Sequence, residues 1–327
     1  MKIIVSLVVI LLVSLPTSVL GSYDPYGINY TFIEWARGPR YEGGYIGSNG
    51  AGFASPGPSR WEMVFDFYMP GSDDNNPYWC IVIWDGGPDD MWRITKGRYP
   101  YWSPCGEWIL YVREKELGDG IWEFYKIRPD GTDETRLTHS TVDKGHSHGH
   151  WSYDGKHIVY SRTYEGGPSQ LVVVDAKDFS NERVIHEVHG EWARIITPRF
   201  TYDDRILFAS NEWIQVKLYG DRPNTSIGII NINGSNRKRL TSGYIDSHPT
   251  MHPSGIIAFT SWRTYKSYGW GDDEPRWFGD VYVMYEGQAP EDFLVRNFDN
   301  RNTTFSYCGT QLFYKGIVPY CTGDLYQ

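Results

Sequence analysis

A repeated segment restricts the fold of this chain more than any other feature. WSPCGEWILYVRE begins at Trp102 and WSYDGKHIVYSRT at Trp151, 49 residues later, with Trp, Ser, Gly, Ile, Tyr and Arg at matching positions. FTYDDRILFAS follows from Phe200, MHPSGIIAFTS from Met251 and FSYCGTQLFYK from Phe305, and ASPGPSRWEMVFDFY from Ala54 is a weaker copy. These six copies stand 48 to 54 residues apart. Self-similarity at a nearly fixed period means that each copy is one supersecondary unit, which buries its apolar surface against its neighbours.

The content of the unit is β. A second motif, IRPDGTDETRLT from Ile127, returns as ININGSNRKRLT from Ile230, 103 residues or about two repeats later. Asp130-Gly131 and Asn233-Gly234 are hairpin-turn dipeptides. Four short strands follow. Strand A ends in the aromatic-Ser pair, strand B alternates (WILYVR, HIVYSR, RILFAS), strand C is rich in Val, Ile and Tyr, and strand D is the Arg-Leu-Thr segment. No stretch sustains a helical apolar period beyond a turn or two. The abundance of Gly (35), Pro (19), Trp (14) and Tyr (25) suits a turn-rich all-β chain.

Four-stranded units at this spacing predict a β-propeller. The W-S-x-D-G-x-x-I-x-Y core and the later P-D-G-x-x-x-x-R-L-T resemble the WD40-like repeats of TolB-type propellers over roughly residues 47–327. Six copies predict six four-stranded antiparallel blades. YTFIEWARG, from Tyr30 to Gly38, is expected to be strand D of the last blade, closing the ring and removing its exposed edges.

The N-terminus is of another kind. Lys2, an apolar run from Ile3 to Leu15, Pro16 and small residues to Gly21-Ser22 predict a secretory signal peptide over 1–22, cut near Gly21. The propeller is then a single domain over 23–327, extracellular, or periplasmic in a bacterium, with no membrane association after cleavage. In such a compartment Cys80, Cys105, Cys308 and Cys321 allow two disulfides in three connectivities, Cys308 and Cys321 being closest in sequence. Sequons stand at Asn29, Asn224, Asn233 and Asn302. A net charge of −9 argues against nucleic acid as the partner.

Propeller geometry puts the A–B and C–D turns on one face and the D–A and B–C connections on the other. The long insertions, from Tyr68, Asn211 and Ser261, fall on the second face, as does GHSHGH (145–150), so that face is the expected binding surface. Three residues before the strand A aromatic, one position per blade should line the channel: Ala51, Tyr99, His148, Thr197, His248 and Asn302. Two positions on come Phe53 or a neighbour, Tyr101, His150, Arg199, Thr250 and Thr304. His148 and His248 are therefore equivalents. They suit acid–base chemistry, two ligands of a divalent metal, or polar lining of the channel. Trp102, Trp151 and Phe200 read as packing between blades.

Two functions stay open. The His-x-x-aromatic-Ser arrangement is similar to the metal or base positions of oligogalacturonate-lyase-type propellers. That resemblance implies a uronate-polysaccharide lyase working by β-elimination, with His148 or His248 as base, Tyr99 as acid and Arg199 neutralising the uronate carboxylate. His150, Arg263, Trp270 and Trp277 would bind the substrate. The other function is a non-catalytic propeller that binds a glycan or protein partner on its loop face, because a fold of this kind hosts many functions. G-x-S-x-G, phosphate-loop and H-E-x-x-H motifs are absent from the sequence.

Overall fold

The repeat becomes five four-stranded antiparallel blades in a computed structural model. It describes residues 30–34, 51–57, 62–69, 78–85, 91–114, 121–139, 144–164, 166–190, 192–214, 224–263, 279–292, 299–305 and 312–317. Strands A to D of the first blade are Ala51–Pro56, Met63–Met69, Tyr78–Trp84 and Met91–Lys96. The second blade is Arg98–Trp102, Ile109–Glu114, Trp122–Ile127 and Thr135–Arg136. The third is Lys144–Trp151, His157–Tyr164, Ser169–Asp175 and Arg183–Val188, joined to the second by a single parallel pairing of Gly145 with Trp122. The fourth is Ile195–Phe200, Arg205–Ser210, Ser226–Asn231 and Lys238–Arg239. The fifth is Ser247–Met251, Ile257–Ser261, Asp280–Met284 and Glu291–Asp292.

The expectation of six four-stranded blades is corrected here. The last copy of the repeat forms a three-stranded mixed sheet of Asp299–Phe305, Leu312–Ile317 and Tyr30–Glu34. Tyr30–Glu34 is the outer strand of this sheet, but it does not follow a third strand as the expected strand D would. It pairs directly and in parallel with Leu312–Ile317. That strand has one edge on Asp299–Phe305, and the N-terminal segment satisfies the backbone groups of its other edge. The expected strand C of this copy falls in 318–327, outside the described residues, as does the expected signal segment.

The repeated residues have separable jobs. Ser152 Oγ accepts the His157 N–H at 2.9 Å and donates to Asp154 at 2.7 Å, so the Ser and Asp of WSYDG close the A–B turn. Thr201 and Asp203 do the same in the fourth blade. The turn needs one left-handed residue, supplied by Gly155 (φ 71°) in the third blade and by Asp204 (φ 60°) in the fourth. The Tyr and Arg of strand B meet one glutamate that precedes strand D. Tyr111 and Arg113 donate to Glu134, and Tyr160 and Arg162 donate to Glu182. Strand D is thereby clamped across strand C.

The strand A aromatics are core, as expected. Trp102 packs with Val64, Ile81 and Ile83 of the preceding blade, Trp151 with Leu110 and Phe124, and Phe200 with Val159, Leu171 and Val173. Each contact removes apolar surface from water between blades, worth about 1.5–3 kcal/mol per fully buried side chain.

Two other expectations meet the structure. Cys80 (buried) and Cys105 (exposed) are both free thiols, so neither forms the disulfide predicted for them, while Cys308 and Cys321 lie outside the described residues. Asn224 is 0% exposed, which leaves no room for a glycan at that sequon in the folded chain.

Candidate functional site

The innermost strand of every sheet carries the same irregularity. Pairing slips between Arg98 and Tyr101, Ser147 and His150, Ile196 and Arg199, Ser247 and Thr250, and Arg301 and Thr304. The residue just inside each slip has positive φ at Tyr99 (53°), His148 (54°), Thr197 (50°) and His248 (52°). A left-handed non-glycine is uncommon, and four at one repeat position make a built-in β-bulge that re-aims a side chain. The position chosen from the sequence is therefore a distinct backbone feature.

The first blade needs a correction of two residues. Gly57 N–H bonds Glu62 O as Ser103 N–H bonds Trp108 O, so Pro56 rather than Ala54 stands in the tryptophan place. The channel position is then Phe53, not Ala51, and the next layer holds Ser55. Hydrogen bonds agree with this register. Ser55 accepts Trp102 N–H at 3.2 Å, as His150 accepts Phe200 N–H at 3.4 Å and Thr250 accepts Phe305 N–H at 3.2 Å.

The upper layer is a cluster of rings drawn from four blades. His148 stacks on Tyr99 at 4.3 Å between centroids and meets Phe53 edge-on at 4.7 Å. His248 lies 6.2 Å from His148 and 5.1 Å from Phe53. The structure thus brings together Tyr99, His148 and His248. Asn302 contributes backbone to the same position, and its side chain is outside the described residues.

His148 is 8% exposed, and neither ring nitrogen has a hydrogen-bond partner among the described residues. Burial, and then the charges of Arg194, Arg98 and Arg199, push its pKa down to about 3, so the ring is neutral at pH 7. Burial raises the Tyr99 hydroxyl above its ordinary value against the pull of Arg98, so it keeps its proton. His248 is pinned differently. Its N–H donates to Thr197 Oγ1 at 3.0 Å and its Nδ1 lies 2.9 Å from Ser247 Oγ.

Backbone anchors hold this layer. The buried Asp66 carboxylate accepts Phe53 N–H at 2.5 Å and Tyr99 N–H at 3.1 Å, tying two bulges together. Gly149 lets the third blade fit: a Cβ there would sit 2.6 Å from Leu110 Cδ2 and 2.7 Å from Phe124 Cε1.

Arg199 and His150 lie one layer deeper. Arg199 is 3% exposed, donates to Tyr101 Oη at 2.9 Å and Thr304 Oγ1 at 2.5 Å, and crosses the axis to reach them. His150 is buried beside it, and burial and then the Arg199 charge hold its pKa well below the ordinary value. Arg263 is taken up by the fifth blade. Its guanidinium pairs with buried Asp246 at 3.0 Å and donates to Ser261 at 2.9 Å. Trp270 and Trp277 lie outside the described residues.

Two cations that the repeat alignment passed over matter more at the mouth. Arg98 stacks on Tyr99 (4.6 Å) and Trp79 (4.3 Å), with Trp122 at 6.0 Å, and its nearest carboxylate oxygen is Asp66 Oδ2 at 3.8 Å. Arg194 is exposed, two residues beyond Trp192, which is 53% exposed. Both arginines act on Tyr99 and His148. Each immediately precedes or begins a strand A, a place where no repeat signal exists, so only an unpatterned basic residue could have been noticed.

No group of three or more His, Cys, Asp or Glu among the described residues could hold a metal ion. His148 and His248 supply two nitrogens, one short of the three protein ligands of an open metal site. The described donor set therefore does not fit the divalent metal considered from the sequence.

No family model matches the chain, and no curated protein matches it. Solved structures do. A putative TolB from Agrobacterium tumefaciens aligns with TM-score 0.59 at 17% identity, over 82% of this chain and 90% of that one. TolB from Acinetobacter baumannii aligns with TM-score 0.55 at 16% identity over 78% of this chain, which spans only 57% of that protein. An oligogalacturonate lyase in complex with manganese aligns with TM-score 0.51 at 15% identity, over 78% of this chain and 67% of that one. The chain resembles TolB-type propellers, with oligogalacturonate lyases among its neighbours, and at these identities the likeness is one of fold.

Proposed function

We propose that the protein is exported and binds an anionic extracellular polysaccharide at the mouth of its channel. One observation carries the reading. Arg98 and Arg194, from two blades, flank a ring-lined mouth beside exposed Trp192 and the Trp79–Arg98 stack, on a chain whose net charge is −9. Cations concentrated on an acidic protein suit a carboxylated ligand, and indole faces suit the apolar faces of sugar rings. The lyase neighbour, by its name, acts on such a substrate class. Export rests on the segment 1–22, with the domain over 23–327, in an extracellular or periplasmic compartment.

A second reading, a uronate lyase, is favoured by the convergence of Tyr99, His148 and His248 within one ring cluster. It faces a physical cost. A general base works best with a pKa near the working pH, and the His148 ring sits at about 3. Arg199, the expected neutraliser, is sealed beneath the rings rather than at the mouth.

One experiment tests both readings. Purified protein is titrated with polygalacturonate and with a neutral glucan at two salt concentrations, while absorbance of unsaturated products is followed with and without chelator. Saturable, salt-weakened binding of the uronate alone, without product, is the expected result. Product formation that His148→Ala and His248→Ala abolish would move the assignment to the lyase. Equal binding of both polymers, or of neither, would overturn the anionic-ligand reading.

A further inference from the structure

Arg199 presents a charge problem that lies apart from the ligand-binding mouth. Three other buried or half-buried arginines among the described residues have a carboxylate: Arg263 has Asp246, Arg162 has Glu182 and Arg136 has Glu123, while the half-buried Arg239 donates to the Thr241 carbonyl. Arg199 is more buried than these and has no carboxylate within 4.0 Å among the described residues. Its partners are two neutral hydroxyls, Tyr101 Oη and Thr304 Oγ1, and the face of the Tyr101 ring at 5.1 Å. The other side chains of its layer, Ser55, Tyr101, His150, Thr250 and Thr304, include no carboxylate, so none of them balances the charge. An uncompensated buried ion is strongly disfavoured, and the usual resolutions are a counter-charge or a bound ion.

Donors are also left over. Arg199 Nε–H is buried without an acceptor. Tyr101 Oη accepts from Arg199 Nη2, and its own proton has no acceptor among the described residues. Two unused donors on touching groups, beside an unbalanced cation, form the complement of a small anion.

Size follows from what encloses them. Above lie the rings of Phe53, Tyr99 and His148, packed at 4.3–4.7 Å between centroids. Below, His150 meets Tyr153, which stacks on Tyr202 at 3.8 Å. A sugar carboxylate on a polymer does not pass such a layer, whereas a monoatomic anion demands little room.

We propose that Arg199 is the centre of a halide site, in which a chloride ion accepts Arg199 Nε–H and Tyr101 O–H inside the channel. The ion neutralises the guanidinium and completes the link that Arg199 makes between the second, fourth and last sheets. The site does not depend on what the mouth binds.

The test is thermal unfolding of the full chain in sodium chloride, bromide, acetate and gluconate at equal ionic strength. An ion that binds only the folded state stabilises it by mass action. Chloride and bromide should raise the midpoint by roughly 2–4 °C over gluconate, increasing with the logarithm of halide concentration. Arg199→Gln should erase the difference. Tyr101→Phe, which keeps the ring and the cation, should weaken it even if the first variant does not fold. Anomalous scattering from a bromide-soaked crystal should place one peak beside Arg199 Nε. Equal midpoints in all four salts, stabilisation by acetate alone, or a halide effect untouched by Tyr101→Phe would overturn the proposal.

Discussion

Asp66→Asn is the sharpest probe of how the scaffold shapes the site. Asp66 is 0% exposed on strand B of the first blade, and its two oxygens accept the N–H groups of Phe53 and Tyr99, one from each of two blades. Asparagine keeps one acceptor and turns an NH2 group toward the other backbone N–H. A buried donor left without an acceptor costs about 1–3 kcal/mol. The weakened 3.8 Å contact to the part-exposed Arg98 adds at most about 1 kcal/mol. The sum is about 1–4 kcal/mol, or a fall of roughly 2–6 °C in the unfolding midpoint. Urea unfolding followed by tryptophan fluorescence measures it directly. A loss under about 0.5 kcal/mol, the range of ordinary surface substitutions, would refute the claim that this carboxylate holds the two bulges in place.

Three further outcomes follow from named groups. His148, with a folded pKa of about 3 against an ordinary 6.5, refuses a proton that the unfolded chain binds. Its contribution to stability is therefore complete above pH 6.5 and is lost as pH falls toward 3; its ring NMR signals should stay constant between about pH 5 and 8, and a midpoint near 6.5 would contradict its burial. Glu134 is pushed up by burial but pulled further down by hydrogen bonds from Tyr111, Arg113 and Thr95, so its net shift is downward. That stability is present above the unfolded carboxyl pKa and lost as pH falls through the folded one, so Glu134→Gln should flatten the acid limb of a stability–pH curve. Gly149→Ala forces a Cβ into Leu110 and Phe124, and calorimetry should find it destabilised by about 1–3 kcal/mol.

The repeat was legible because packing imposed it. Trp102, Trp151 and Phe200 had to be core, Ser152 and Asp154 had to close a turn, and in the sequence the first set recurs as an aromatic and the second as Ser or Thr with Asp in the third and fourth copies. The Tyr and Arg of strand B were visible as identities too, but their reason, a shared glutamate across the blade, was not. Blade number was not legible at the end of the chain, where the last copy forms a three-stranded sheet. A strand-like segment announces that it will pair, and YTFIE does pair, yet alternation alone does not say which edge it takes.

At the site, His148 and His248 were found by alignment, and the bulge behind them was hidden. Tyr, His and Thr carry no sign of a left-handed backbone, which glycine would have given away. Phe53 was displaced by two residues because Ala54-Ser55-Pro56 imitates the Trp102-Ser103-Pro104 that opens the second blade's turn, whereas the first blade's turn starts two residues later, at Gly57. Asp66 did leave a trace: a lone carboxylate inside MVFDFYM, on an otherwise apolar strand, calls for a buried partner. Arg199 looked like a catalytic cation because sequence gives the position of a charge along the chain but not its depth.

The central claim is that cations at the channel mouth read an acidic polymer. Its most direct test is the affinity of polygalacturonate for Arg194→Gln, since Arg194 is exposed and its loss leaves Asp66 and its anchors intact. The account predicts binding weakened by about tenfold, roughly 1.4 kcal/mol, with a shallower salt dependence and an unchanged unfolding midpoint. Wild-type affinity in that variant, at low salt and with the fold intact, would contradict it.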